Sequence, residues 1–122
     1  MWTYTRTNGA MADPTGIVRG YGYSGHGLGL NNSVLEDDPD VGPIPAGEWL
    51  IEPAIDASDT GPMSLPLTPI AGTIIFGRSG FRIHGDSIAD AGQEVASHGC
   101  IVIGLTVRLL ISQSTDKTLQ VV

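Results

Sequence analysis

Basic residues are scarce: six stand against thirteen acids for a formal net charge of −7, Lys117 is the only lysine, and no cation lies between Arg19 and Arg78. That gap holds Glu36, Asp37, Asp38, Asp40, Glu48, Glu52, Asp56 and Asp59. Binding to nucleic acid needs clustered cations that displace counterions, so this composition excludes it, and the uncompensated acids repel anionic membrane surfaces. Cysteine is down to one residue, Cys100, which removes internal disulfides and leaves a thiol to be explained. Long hydrophobic runs are missing as well; none reaches the roughly 18 residues of a membrane-spanning helix, so no membrane span is expected. The opening MWTYTRTNGAMADP has neither the basic start nor the apolar stretch of a signal peptide, and synthesis in the cytoplasm without one is expected.

Disulfides are not needed either. A chain of 122 residues can bury roughly two-thirds of its unfolded surface without covalent staples, and its length predicts one domain over residues 1–122. Seventeen glycines and eight prolines make it turn-rich, short of the share that marks low-complexity chains. Apolar residues come in short runs cut by Gly, Pro, Asn and Asp, the pattern of many short strands. These runs predict strands at 2–6, 17–23, 48–52, 73–76, 81–84, 99–103 and 118–122. Asn8-Gly9 and Pro14 to Gly16 predict an opening hairpin between the first two. Two prolines in Val41 to Gly47 keep that segment out of any central strand. Only Thr106 to Gln113 reads as a helix, with Val107, Leu110 and Ile111 spaced as a buried stripe and Thr106 as its N-cap. The expected fold is mainly β with one short helix near the C-terminus, undivided by repeats or linkers.

Residues with chemical reach concentrate in FRIHGDSIADAGQEVASHGCIVI. One predicted strand ends at His84 and another begins near Cys100, 16 residues later, a span that lets the chain leave and return beside itself. Such a return brings an imidazole to a thiol. A free thiol is only a few per cent thiolate at neutral pH, and a neighbouring imidazole that takes its proton makes the nucleophile that acyl transfer requires. Gly99 permits close approach of a substrate and leaves backbone amides open to hold an oxyanion. The competing reading makes Cys100 a small buried hydrophobe; its place after Ser97-His98-Gly99 favours the reactive one. Asp86 reads either as the group that orients His84 or as a turn former. Strand alternation puts Arg82 on the face of His84, where it would suit a carboxylate, and leaves Arg78 undetermined. His84, His98 and Cys100, with His26 or Asp86, are ligand types for zinc, but H-x-C is too short for the usual spacings. Glu36 to Asp40 lacks the alternating oxygens and glycine of a calcium loop and reads as a solvated acidic loop. No cofactor or metal is expected.

His84-Gly85-Asp86 followed by Ser97-His98-Gly99-Cys100 resembles the catalytic signature of L,D-transpeptidases, cysteine enzymes that act on peptidoglycan stem peptides. The opening Trp2-Thr3-Tyr4, then Gly22-Tyr23-Ser24-Gly25, Asn31-Asn32, Val41 to Gly47 and the Phe81 to Asp86 strand end resemble the compact L,D-transpeptidase-like effectors of bacterial type VI secretion. That resemblance covers essentially residues 1 to 122, and several separated motifs in order are less open to chance than one short pattern. Two departures stand out. Val102 occupies the position where housekeeping L,D-transpeptidases commonly carry an arginine, and the interval from His84 to Ser97 is shorter than in many of them. Both weigh against cross-linking and leave cleavage and exchange open.

The resemblance implies a small L,D-transpeptidase-like β-sandwich or barrel. It implies that Cys100 attacks the carbonyl of a diaminopimelate at the third stem position, joined there to a terminal D-alanine. His84 would move the proton, with the Gly85 carbonyl or the Asp86 carboxylate orienting its ring. Backbone N–H groups from His98 through Gly99 to Cys100 would hold the oxyanion, Ser97 would support the loop, and His98 would lie beside the substrate. Tyr23, Ser24, Asn31 and Asn32 would form a wall of the site, although the asparagine pair suits a tight turn in any case. Water as acceptor gives L,D-carboxypeptidase activity, a D-amino acid gives exchange, and a second diaminopimelate amine gives the cross-link of a housekeeping L,D-transpeptidase. Expected partners are peptidoglycan stem peptides and a cognate immunity protein, with the acidic 36 to 59 segment as candidate contact surface. The expected place of action is the periplasm of a target bacterium. The competing class is a module that binds stem peptides without cleaving them.

Overall fold

The computed structural model describes residues 1–94 and 96–122. Its strands are β1 (Trp2–Thr5), β2 (Ala10–Ala12), β3 (Val18–Tyr21), β4 (Tyr23–Ser24), β5 (Gly47–Ile51), β6 (Ile55–Ala57), β7 (Gly61–Pro69), β8 (Arg82–His84), β9 (Ile101–Val102) and β10 (Thr118–Val121). One helix, α1 (Leu105–Gln113), lies near the C-terminus, and short 3₁₀ turns cover Gly27–Gly29 and Ser33–Leu35. The strands run in the order β3-β2-β1-β10-β5-β7-β8-β9-β4, with β6 added to β7. The ladders β1–β10 and β8–β9 are parallel and the others antiparallel. The mainly β expectation with a single late helix holds. A closed barrel does not form among the described residues, because β3 and β4 end the path without pairing to each other. No helix of the described residues is long and apolar enough to cross a membrane.

Alternation along the strands builds the core. Trp2 and Tyr4 of β1, Leu119 and Val121 of β10, Trp49 and Ile51 of β5, and Leu65 and Leu67 of β7 all point inward. The registers set them side by side, Trp2 against Leu119, Leu119 against Trp49, Ile51 against Leu67, then Leu65 against Ile83 and Ile83 against Ile101. Phe81 meets the Trp49 ring edge-on at 5.1 Å, an arrangement favoured by the quadrupoles of both rings. Since Ile83 and Ile101 face this core, Arg82 and His84 necessarily face the other way.

The expected elements fail where a local signal competes with a close approach. The predicted strand 17–23 breaks at Gly22, with β3 and β4 on opposite ends of the sheet. Residues 73–76 form no strand. Turns close there, from Thr73 N–H to Ile70 O and from Arg78 N–H to Ile75 O, and Phe76 has φ of 56°. Strand β7 lies outside the expected strands and forms despite Pro62, Pro66 and Pro69, residues that disfavour a central strand; Pro66 still offers its carbonyl to the Glu52 N–H at 2.8 Å. The N-cap of α1 is Gly104, without a side-chain bond, and Thr106 lies inside the helix. The buried side of α1 is Val107, Arg108 and Ile111, while Leu110 is 40% exposed.

Gly22 joins the two ends of the strand order across one residue. Its N–H donates to Gly9 O at 2.8 Å, and a Cβ at position 22 would stand 2.2 Å from Val102 O. Gly9, with φ of +75°, is pressed on from the other side, since its own Cβ would fall 1.9 Å from Gly22 O. We predict that Gly22→Ala destabilises the fold by about 2–4 kcal/mol, because the obstructing atoms are backbone and cannot swing aside. The urea midpoint reads this directly, and a midpoint equal to the parent's would show that the seam yields freely.

Candidate active site

The parallel ladder β8–β9 places the site. Its register pairs Ile83 with Ile101 and His84 with Val102. Extended back by one residue, it sets Arg82 opposite Cys100, and His84 becomes a diagonal neighbour of the thiol at the range long side chains bridge. Cys100, His84, Arg82, Asp59, Asp86 and His98 line one cleft of about 720 Å³. A second hollow of about 410 Å³, walled by Asp40, Phe76, Arg78 and Phe81, shares Gly80, His98 and Cys100 with it. The thiol therefore borders two approaches.

His84 is buried, and its Nδ1 pairs with Gly85 O at 2.7 Å. A carbonyl accepts only, so Nδ1 carries the proton and Nε2 is left as the basic nitrogen. Of the two groups expected to orient the ring, the Gly85 carbonyl does so. Burial pushes the imidazole below its ordinary value, opposed by the Gly85 bond and reinforced by the charges of Arg108 and Arg82. Burial also pushes the Cys100 thiol up, opposed by the Arg82 main-chain N–H and side-chain charge. At rest the thiol donates weakly to Gly80 O at 3.6 Å. Both shifts favour the uncharged forms, a neutral thiol and a neutral imidazole in one cleft.

The turn before Cys100 is held from beneath. Ser97 Oγ donates to Cys100 O at 2.6 Å and accepts the N–H groups of Gly99 at 3.1 Å and Gly25 at 3.0 Å. The Gly99 N–H is thus taken, which narrows the expected oxyanion donors to His98 and Cys100. Ser24 Oγ donates to Gly99 O at 3.1 Å and accepts the Ile44 N–H at 2.9 Å. Gly99 has φ of +130°, and a Cβ there would meet Arg78 Nη2 at 2.5 Å, so glycine is required twice over.

Arg78 is the buried brace. Its Nη1 donates to Glu36 O and to Pro43 O at 2.8 Å, its Nη2 to Gly42 O at 2.9 Å and His98 O at 3.4 Å, and its guanidinium lies 5.1 Å from the Phe81 ring centre. No carboxylate touches it among the described residues. Burial lowers its value while Asp40, Asp38 and Asp37 oppose that fall, so the acidic loop supplies its counter-charge at a distance. Pro43, Ile44 and Pro45 are fully buried without a strand around them, and side chains of Arg78, Ser24 and Trp49 satisfy their backbone.

Several expected wall residues serve inside the scaffold instead. Tyr23 is buried, its hydroxyl donating to Asp86 Oδ1 at 2.7 Å and accepting the Ala96 N–H at 3.0 Å; burial and the Asp86 bond raise its value to about 12. Asp86 does not bond the imidazole. Its carboxylate accepts from Tyr23 and from the N–H groups of Ser87 at 2.9 Å and Gly92 at 2.9 Å, bonds that hold it below the usual carboxylate range and pin the loop on one side of the cleft. Asn31 Oδ1 accepts the Ser24 N–H at 3.1 Å, and Asn32 caps the 3₁₀ turn through Val34 N–H at 3.2 Å. Neither asparagine lines the cleft. His98 does, with its ring stacked 5.5 Å from that of His26 and its Nδ1 at 3.2 Å from Asp40 O. Arg82 donates to Asp59 Oδ1 at 2.9 Å and Thr60 Oγ1 at 3.2 Å. Among the described residues no three His, Cys, Asp or Glu side chains gather so as to hold a metal ion.

No family model matches this chain, and no curated protein matches it. The site therefore stands on its own geometry. Sequence reasoning missed Asp59 and Thr60, which reach the cleft through the β6–β7 turn, and gave Arg78 and Arg108 no structural part. A lone arginine inside the apolar run of α1 was the signal available for Arg108. We predict that Arg78→Met, which takes the donors from four carbonyls, those of Pro43 and Gly42 buried, lowers stability by about 3–5 kcal/mol and speeds alkylation of Cys100 as the turn loosens. Thermal unfolding and iodoacetamide kinetics check the two effects separately.

Proposed function

We propose that this protein is a peptidoglycan-modifying cysteine enzyme of the L,D-transpeptidase kind, removing or exchanging the terminal D-alanine of tetrapeptide stems. The observation that carries the reading is the imidazole of His84, fixed by Gly85 O at 2.7 Å with Nε2 unprotonated, in the same cleft as Cys100. The resemblance of Ser97-His98-Gly99-Cys100 to the family signature supports it.

In the proposed reaction Cys100 Sγ attacks the diaminopimelate carbonyl while His84 Nε2 takes the thiol proton. The tetrahedral oxyanion meets the backbone N–H groups of His98 and Cys100. Collapse breaks the C–N bond, the imidazolium returns its proton to the departing D-alanine amine, and a thioester remains. Water or the amine of a D-amino acid then attacks the thioester with His84 again as base, and the thiol is regenerated. Arg82 is the only arginine or lysine lining the cleft among the described residues, and it suits the free carboxylate of the terminal alanine. The two approaches to the thiol suit separate entry of stem and acceptor.

An antibacterial effector carried by type VI secretion to the periplasm of a target cell, with a cognate immunity protein, fits the resemblance and the acidic 36 to 59 segment. Burial holds the Cys100 thiol in its protonated form, away from a resting thiolate, and this favours the second reading, a module that binds stem peptides without cleaving them.

Mass spectrometry of purified tetrapeptide muropeptides separates the readings. We expect loss of one alanine with the parent protein, and a rate lowered at least about a thousandfold in Cys100→Ala; peptides left whole by both proteins would favour the binding module. The pH dependence of kcat/KM supplies a second check. Because His84 sits below the ordinary imidazole value, it stays unprotonated as pH falls past neutrality, and the acid limb should lie below that of a free imidazole. The raised thiol does not add an alkaline loss, since deprotonation there yields nucleophile. An acid limb at or above the ordinary imidazole value would remove buried His84 from the role of base.

A further inference from the structure

We infer that Arg108 is a positioning residue for His84, closing a ring of contacts that fixes the imidazole together with the carbonyl it bonds. The inference rests on reading His84 as the base that serves Cys100. Arg108 Nε donates to Ile103 O at 3.0 Å, and the Ile103 N–H donates to His84 O at 2.9 Å. The His84 ring bonds Gly85 O at 2.7 Å, and a Cβ on Gly85 would lie 2.7 Å from Arg108 Nη2. Gly85 therefore lies directly against the guanidinium, and the circuit from Arg108 through Ile103, His84 and Gly85 returns to its start. Arg108 Nη1 adds bonds to Pro62 O at 2.9 Å and Met63 O at 3.1 Å, which tie α1 to β7 as well.

The choice of arginine is informative. The residue is 7% exposed, and among the described residues no carboxylate lies within ion-pair distance of it. Desolvating an unpaired cation is costly, and an apolar side chain would fill the same face of α1 without that cost. Arginine adds two things an apolar residue lacks, a rigid fork of donors and a fixed positive charge.

The other charged groups facing the imidazole each have a partner. Arg82 of β8 is paired with Asp59 from the β6–β7 turn, and Asp86 after β8 is engaged by Tyr23 and two N–H groups. Cys100 at the head of β9 is neutral at rest. Arg108 alone brings a charge without an opposite one beside it, and it opposes a second positive charge on the ring, adding to burial. Geometry and charge act in the same sense, keeping Nδ1 protonated and Nε2 free.

Heteronuclear NMR of the full chain reads both properties at the imidazole itself, with no substrate present. In Arg108→Met we expect the His84 titration midpoint to rise by about one pH unit and the Nδ1-protonated tautomer to lose its dominance. Arg108→Lys, which keeps the charge and loses the fork, should return the midpoint toward the parent value while leaving the tautomers mixed. Should Arg108→Met fail to fold, Gly85→Ala presses on Nη2 while every donor of the fork remains, and it should mix the tautomers in a folded protein. An unchanged midpoint and tautomer in Arg108→Met, or an unchanged tautomer in Gly85→Ala where the former does not fold, overturns the inference. A negative muropeptide assay would leave these ring measurements intact, and unchanged ring measurements would leave the assay intact, so the two failures are distinguishable.

Discussion

The guanidinium of Arg78 and the carbonyl oxygens around it carry the segment on which the candidate nucleophile rests. Residues 42–45 are buried yet belong to no ladder, and two of them are prolines without a donor. Such a segment folds inward only if side chains replace the missing ladder. Arg78 does this for Gly42 and Pro43, and the Nη2 that bonds Gly42 O also meets His98 O and excludes any side chain from position 99. Placement of the Cys100 turn thus follows from satisfying the backbone of a loop some 55 residues earlier in the chain. The acids that looked like a surface feature, Asp37, Asp38 and Asp40, favour the charge that makes this possible.

The parallel ladder β8–β9 then does what a short hairpin would not. Parallel strands present their side chains in the same sense along a common face, so a residue ending one strand and a residue just before the next can meet diagonally. Between the two strands, Asp86 and Tyr23 hold the chain at Gly92 and Ala96. Burial acts on both partners in the direction of the uncharged form. In the proposed chemistry the charges therefore arise only when a substrate carbonyl is present to receive the electrons, which limits reaction of the thiol with other electrophiles.

Much of the fold was legible because strand alternation and burial speak the same code. Trp2, Tyr4, Trp49, Ile83, Ile101, Leu119 and Val121 are all inward residues of predicted strands. The losses have physical causes. Gly22 looks like any residue inside an apolar run, and only the approach of Val102 O shows why the run must break there. The prolines of β7 argue against a strand that the neighbouring ladders impose. Local spacing pointed to Cys100 and His84 and alternation to Arg82, all of which line one cleft, while the Gly85 carbonyl entered only through the resemblance. Tyr23, Asn31 and Asn32 were readable as polar but not as scaffold, since their partners lie on other segments. Arg78 and Arg108 carry roles set wholly by distant carbonyl oxygens, a relation that no local pattern encodes.

Strand β10, the last element in sequence, lies between β1 and β5, in parallel with the first and antiparallel to the second. Leu119 touches the register positions of both Trp2 and Trp49. β1 and β5 thus each have a ladder that depends on Thr118–Val121, while Gly22 and the β4–β9 ladder join the same two parts of the sheet on its other side. Loss of β10 would therefore expose two strand edges at once, on β1 and on β5, in the middle of the strand order rather than at its rim.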